Sequence, residues 1–216
     1  MEKICFCNEG SVYCKSANYM CHDVIQAYMN FEFYKGINKL VGEIDSGFFG
    51  ISYLISMYDK IGLSKKTFAR PLMICVDGHD IPLKDFTKVC CYLDRKYPLF
   101  CSSQTVRKLV RKGLKKSSLN YSEDDICDLF GMEKFRFDRP INCVGNERFK
   151  AMAAIGFSHG KEVFCFPWLS YIKFESYRNH MPFLLKTLEN LGKFAIVPVG
   201  ADDGSRDAFL RNIMPE

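Results

Sequence analysis

Short apolar runs separated by polar or glycine-bearing breaks set the rhythm of the chain. Ile4 to Tyr13 reads as a strand interrupted by Asn8-Glu9-Gly10, a composition suited to a hairpin turn. Val24 to Phe33 alternates less regularly, Tyr34-Lys35-Gly36 marks a turn, and Asn38 to Gly42 is a short buried strand. Ile51 to Tyr58 predicts a helix. Pro71 to Val76 predicts a strand, Asp77 to Asp80 a turn, Pro82 to Phe86 a short helix and Val89 to Leu93 another strand. From about Thr105 to Phe130 the period is helical, with Ser122 and Asp125 spaced as a helix cap. Phe135 to Cys143 is irregular around Arg139-Pro140, and Glu147 to Ser158 carries small and apolar residues at helical spacing. The run Glu162 to Phe166 suits a strand covered on both faces. A helix from Met181 to Leu191, a buried strand from Phe194 to Val199 and a closing helix from Ala208 to Ile213 complete the pattern. Strands alternating with helices imply an α/β domain with a mostly parallel sheet, interrupted by a helical block at about 105–150.

Composition adds bounds. The 216 residues, 48% of them hydrophobic, suit one domain with a large core. No apolar run reaches the roughly 18–20 residues of a membrane span. The opening MEKICFCNEG lacks the apolar stretch of a secretion signal, so a cytoplasmic location is expected. A net charge of +5 is mild, and no nucleic-acid partner is expected from it. The eleven cysteines, at 5, 7, 14, 21, 75, 90, 91, 101, 127, 143 and 165, contain no CxxC and no His/Cys ligand spacing. They read as reduced, mostly buried thiols rather than zinc ligands or disulfides. Arg107, Lys108, Arg111, Lys112, Lys115 and Lys116 form the basic side of an amphipathic helix, whose simplest reading is a solvated face. His22 and His180 have no partner at ligand spacing, and no nucleophile–histidine–carboxylate triad can be assembled.

One stretch, Leu40 to Met57, has the outline of a phosphate-binding loop: an apolar strand, glycines, then a helix. Gly42 and Gly47, with Ser46 between them, fall where GxxxxGK[ST] requires its glycines. Phe48 stands where that motif has its lysine, and Phe49 where it has its hydroxyl.

Four stretches in order resemble the ATPase domains of ABC transporters, over residues 3 to 200. GEIDSGFFGIS at 42–52 takes the place of the Walker A loop. CYLDRKYPLFCSSQTVRKLV at 91–110 resembles the Q-loop segment, with Asp94 or Arg95 in the glutamine's place. VGNERFKAMAAIGFSHGKEVFCFPW at 144–168 is similar, without a gap, to the signature loop, its helix and the Walker B strand. There Gly145-Asn146-Glu147-Arg148 matches the end of the signature motif, with asparagine for its second glycine. Pro167 and Trp168 occupy the positions of the magnesium-organising aspartate and the general-base glutamate. Lys193 to Gly200 resembles the strand leading to the switch histidine, with Val199 or Gly200 in its place.

The resemblance implies a single P-loop NTPase-like domain over 1–216, mostly parallel, with an N-terminal antiparallel β portion. A helical subdomain at about 105–145 is inserted in it. Phosphoryl transfer rests on positioning and charge, and each such group contributes about 2–4 kcal/mol to the barrier. With the set replaced, the expected role is a non-hydrolysing subunit that pairs with itself, with another ABC-type subunit, or with a membrane-protein (transporter) or peptide-processing partner. Membrane association would then come only through the partner. No cofactor is expected. One alternative is an active ATPase with atypical motifs that keeps ATP and magnesium. The other is a binding module using an aromatic pocket where Phe48, Phe49, Phe166, Pro167 and Trp168 converge.

Overall fold

The computed structural model describes residues 1–7, 12–15, 22–25, 29–42, 48–57, 73–94, 103–169, 177 and 179–200. Strands β1 (Lys3–Cys7), β2 (Val12–Lys15), β3 (His22–Ile25), β4 (Asn30–Tyr34) and β5 (Gly36–Val41) precede helix α1 (Phe48–Met57). Next come β6 (Met73–Val76), β7 (His79–Pro82), α2 (Leu83–Phe86) and β8 (Cys90–Tyr92). The helical block follows, with α3 (Val106–Leu114), α4 (Glu123–Leu129), α5 (Lys134–Phe137) and α6 (Arg148–Ser158). β9 (Val163–Cys165), α7 (Met181–Asn190) and β10 (Phe194–Val199) close the described part. The turn at 8–10, the closing helix at 208–213, and Ser46, Gly47 and Arg95 lie outside the described residues.

A four-stranded parallel sheet, ordered β5-β10-β9-β8, forms the centre. Every residue of β10 and β9 is buried, as an apolar run flanked by strands on both sides requires. Alternate residues serve opposite faces. Val163, Cys165, Phe194 and Ile196 join a cluster with α1 and the antiparallel sheet. Phe164, Phe166, Ala195 and Val197 join a second cluster with α3, α6 and α7. The helical block α3–α6 is the crossover between the neighbouring strands β8 and β9.

The antiparallel sheet has the order β4-β1-β6-β7. This corrects the hairpin expected at 4–13: β1 pairs with β4 and β6, whereas β2 pairs with β3 in a separate ribbon. Both segments have strand propensity, but the partner of β1 is supplied by the cluster that Ile4 and Phe6 fill with Phe31, Phe33 and Ile74. The tight turn between β6 and β7 has Asp77 at φ 50 and Gly78 at φ 85. Asp77 Oδ1 accepts the amides of Glu2 and Lys3, each at 2.8 Å, fastening the first residues to that turn.

Helix ends follow sequence chemistry. Thr105 caps α3, its hydroxyl accepting from the Lys108 amide at 3.2 Å. Ser122 and Asp125 form a reciprocal capping box on α4. The basic face of α3 is partly neutralised within the chain: Arg107 pairs with Asp138 at 2.6 Å and Asp124 at 2.8 Å, and Arg111 with Glu123 at 2.5 Å. α1 begins at Phe48, three residues before the start that the apolar period suggested.

Candidate functional site

Parallel strands emerge at a common edge, and ligands of α/β sheets sit outside the carboxyl ends of such strands. Here β5 and β9 flank β10, so the chain leaving β5 at Gly42 and the chain leaving β9 at Phe166 meet beside the end of β10. The Gly42 amide donates to Val199 O at 2.9 Å, and the amides of Phe166 and Leu169 donate to Ile196 O and Pro198 O. The Trp168 indole N–H donates to Gly42 O at 3.4 Å. Ser52, fully buried on α1, donates its hydroxyl to Phe166 O at 2.6 Å. Segments 126 residues apart in sequence are thus joined directly.

The aromatic residues at this edge do not form one group. Phe48 is partly buried against the α1 cluster, its ring edge-on to Phe31 with centroids 6.0 Å apart. Trp168 packs against the same cluster. Phe166 points to the other face, where it meets Phe149 at 5.9 Å. Continued strand alternation would put Phe166 and Trp168 on one face, but β9 ends at Cys165 and the chain beyond it turns the two to opposite layers, which spacing along the sequence alone does not reveal. Pro167 is buried between them, and the Phe49 side chain lies outside the described part.

The other sequence-selected residues gather elsewhere, at the start of α6. Gly145 adopts φ 61, and a Cβ there would stand 3.2 Å from Arg136 Nη1. Arg136 stitches this turn, donating to Val144 O at 3.0 Å and to Asn146 Oδ1 at 3.3 Å. It also lies 3.9 Å from Glu147, a carboxylate that is only 3% exposed. Asp94, after β8, pairs with Arg148 at 3.7 Å, so the end of β8 is tied to the first turn of α6. The structure therefore brings Gly42 to Trp168, which shares an apolar cluster with Phe48, and Asp94 to the 145–148 turn, as two separate groups.

Sequence reasoning did not single out Arg136 or Lys150. Lys150 is 7% exposed, with its ammonium donating to Gly131 O at 2.9 Å and lying 5.0 Å over the Phe183 ring. Burial pushes its pKa down, against the pull of Glu147 and Glu133. Burial likewise lowers His180, with Lys150 adding to the effect. These two line a narrow cleft with Asn146, Phe149 and Leu184. The helical spacing of Lys150 from Glu147 was the available signal, though a surface pair gives the same pattern.

Among the described residues no group of three or more His, Cys, Asp and Glu side chains is placed to hold a metal ion. No described helix is long and apolar enough to cross a membrane.

No protein-family model and no curated protein matches the sequence. Solved structures do match in fold. The chain is similar to cbiO1 of Clostridium perfringens, part of the ABC transporter complex cbiONQ, with a TM-score of 0.57 at 13% identity, covering 94% of this chain and 80% of that one. It is similar to an ATP-binding protein of an ABC transporter from Pyrococcus furiosus, with a TM-score of 0.59 at 12% identity, over 94% of this chain and 93% of that one. An ATP-binding cassette solved as a dimer in a post-hydrolysis state with ADP and phosphate gives 0.54 at 13% identity, over 94% of this chain and 88% of that one. With its central parallel sheet, antiparallel sheet and helical crossover, the chain has the fold of the ATP-binding domains of ABC transporters.

Proposed function

We propose that the chain is a non-hydrolysing ABC-type subunit, one domain with the helical subdomain at about 105–145 set into it. The observation that carries this reading is the closure of Trp168 on Gly42. An indole occupies the ground between the first glycine of the loop and the end of β9. The residue before it, Pro167, offers neither carboxylate nor amide hydrogen.

The donor set does not fit magnesium with a triphosphate. Magnesium takes hard oxygen ligands from carboxylates and hydroxyls. The two positions after β9 that would supply a carboxylate supply an imino ring and an indole, and the helix after the loop opens with Phe48. Aromatic surface beside a phosphate strips its water without replacing it by donors.

Partnership is the remaining role of such a fold. The relatives in a transporter complex and in a dimer support a second copy, another ABC-type subunit or a membrane-protein partner. The experiment is magnesium-dependent ATP turnover by the purified chain, with Phe48→Lys and Trp168→Ala as controls. Turnover at the buffer rate in every protein, with the emission of the only tryptophan unmoved by nucleotide, is expected. Turnover by the natural chain that Trp168→Ala abolishes overturns the proposal and favours an active ATPase.

A further inference from the structure

The antiparallel sheet buries one face and turns the other outward. Ile4, Phe6 and Ile74 fill the core, and the alternating positions of β1 and β6 stand on the opposite face. On that outer face Cys5 of β1 is directly opposite Cys75 of β6. Glu32 of β4 is opposite Cys5 on its other side, and Asp80 of β7 is opposite Cys75. The row Glu32, Cys5, Cys75, Asp80 therefore crosses all four strands, with two thiols at its centre. Both cysteines are partly exposed free thiols.

Backbone bonding identifies the kind of pair. The Asp77 amide donates to Lys3 O at 3.0 Å, which makes positions 3 and 77 a hydrogen-bonded pair. Antiparallel ladders alternate, so the pair two residues along, Cys5 and Cys75, is of the same kind, with Cα atoms about 5.5 Å apart. That lies inside the roughly 4.4–6.8 Å that a disulfide accepts. Cβ atoms across a sheet stand about 4.5–5.5 Å apart, wider than the mean of about 3.8 Å in relaxed disulfides. A bond here draws the strands together and is of the readily reduced kind. Burial pushes the Cys5 thiol up and the Lys3 ammonium opposes it, with the charges of Glu32 and Cys75 adding to the rise.

We propose that Cys5 and Cys75 form a reversible cross-strand disulfide under peroxide, a modification site that clamps β1 to β6. One thiol reduces the peroxide, giving a sulfenic acid and one water. The second thiol displaces the sulfenic oxygen as another water, so two thiols and one hydrogen peroxide yield one disulfide and two waters. A thiol reductant reverses the step by exchange. The clamp closes the chain around the segment that carries Gly42 and α1.

The test treats the dilute full chain with hydrogen peroxide, alkylates remaining thiols in denaturant and maps the peptides by mass spectrometry. The expected result is a monomer lighter by two hydrogens, about 2 Da, with Cys5 and Cys75 in one cross-linked peptide that dithiothreitol separates. Cys5→Ser and Cys75→Ser each abolish that species. A thiol-specific bimane cross-linker on the untreated chain checks the pairing without oxidation and does not depend on the variants folding. A disulfide that joins Cys5 or Cys75 to another cysteine, with no peptide linking the two to each other, overturns the proposal. So does oxidation that links the exposed Cys7 or Cys143 between molecules while Cys5 and Cys75 stay alkylated.

Discussion

Replacing Gly113 by alanine opposes two effects of known size. Glycine inside a helix costs about 1 kcal/mol against alanine, so propensity alone makes Gly113→Ala stabilising. Gly113 lies on the buried side of α3, where that helix crosses α6. A Cβ added there would stand 2.4 Å from Ser158 Oγ, 2.7 Å from His159 Cδ2 and 2.8 Å from the Ser158 carbonyl carbon. The hydroxyl is buried and donates to Ile155 O at 2.8 Å, so it yields only by breaking that bond. The carbonyl carbon yields only if α6 moves, and α6 is buried along nearly its whole length. Overpacking of this kind costs about 1–3 kcal/mol, and the need to shift a helix places it in the upper part of that range. The net expectation is a loss of about 1–2 kcal/mol, or about 2–4 °C of melting temperature per kcal/mol in a chain this size. Urea unfolding followed by circular dichroism reads it as a lowered midpoint with unchanged slope. Gly113→Ala with Ser158→Ala recovers part of the loss, because the contact with the carbonyl carbon persists. A midpoint equal to or above that of the natural chain refutes the close crossing of α3 and α6.

Three further outcomes follow from contacts described above. Ser52→Ala leaves the buried Phe166 carbonyl without its donor and lowers stability by about 1–2 kcal/mol in the same unfolding assay. Ser122→Ala removes the capping box of α4 and costs about 1 kcal/mol, whereas Ser122→Asp keeps most of it. Hydrogen bonds from Arg111 and Arg107 hold Glu123 and Asp124 below their ordinary carboxylate values in the folded chain. Their contribution is therefore complete above the unfolded values, near pH 4, and is lost as pH falls through the lower folded ones. An Arg107→Gln, Arg111→Gln double variant flattens the acid limb of a midpoint-against-pH curve; an unchanged limb refutes the role of these pairs.

Much of the architecture is legible because several segments carry strong local signals. Phe194 to Val199 is apolar throughout and becomes a fully buried inner strand at those bounds. Ser122 and Asp125 cap α4 as their spacing requires. Partner choice is less legible. The sequence Ile4 to Tyr13 contains the two strand segments but not the fact that β1 crosses to β4 and β6, since that depends on residues up to 72 positions away. Gly113 reads locally as a weak point in a helix and only the α6 backbone shows why a side chain does not fit. The Cys5–Cys75 pairing is invisible for the same reason: nothing in the spacing of the eleven cysteines encodes strand register. At the candidate site, the meeting of Gly42 with Trp168 follows the order of motifs, whereas the divergence of Phe166 from Trp168, two residues apart, depends on the chain leaving the strand pattern after Cys165.

That divergence makes the lone indole a one-sided reporter. Emission from Trp168 follows the half of the molecule beneath the antiparallel sheet, while ellipticity near 222 nm reports helices, most of the described ones on the far half. If the two halves melt as one cooperative unit, both signals trace the same curve. If the sheet edge loosens first, fluorescence departs at lower urea than ellipticity, and a single spectroscopic comparison separates a rigid whole from two coupled parts.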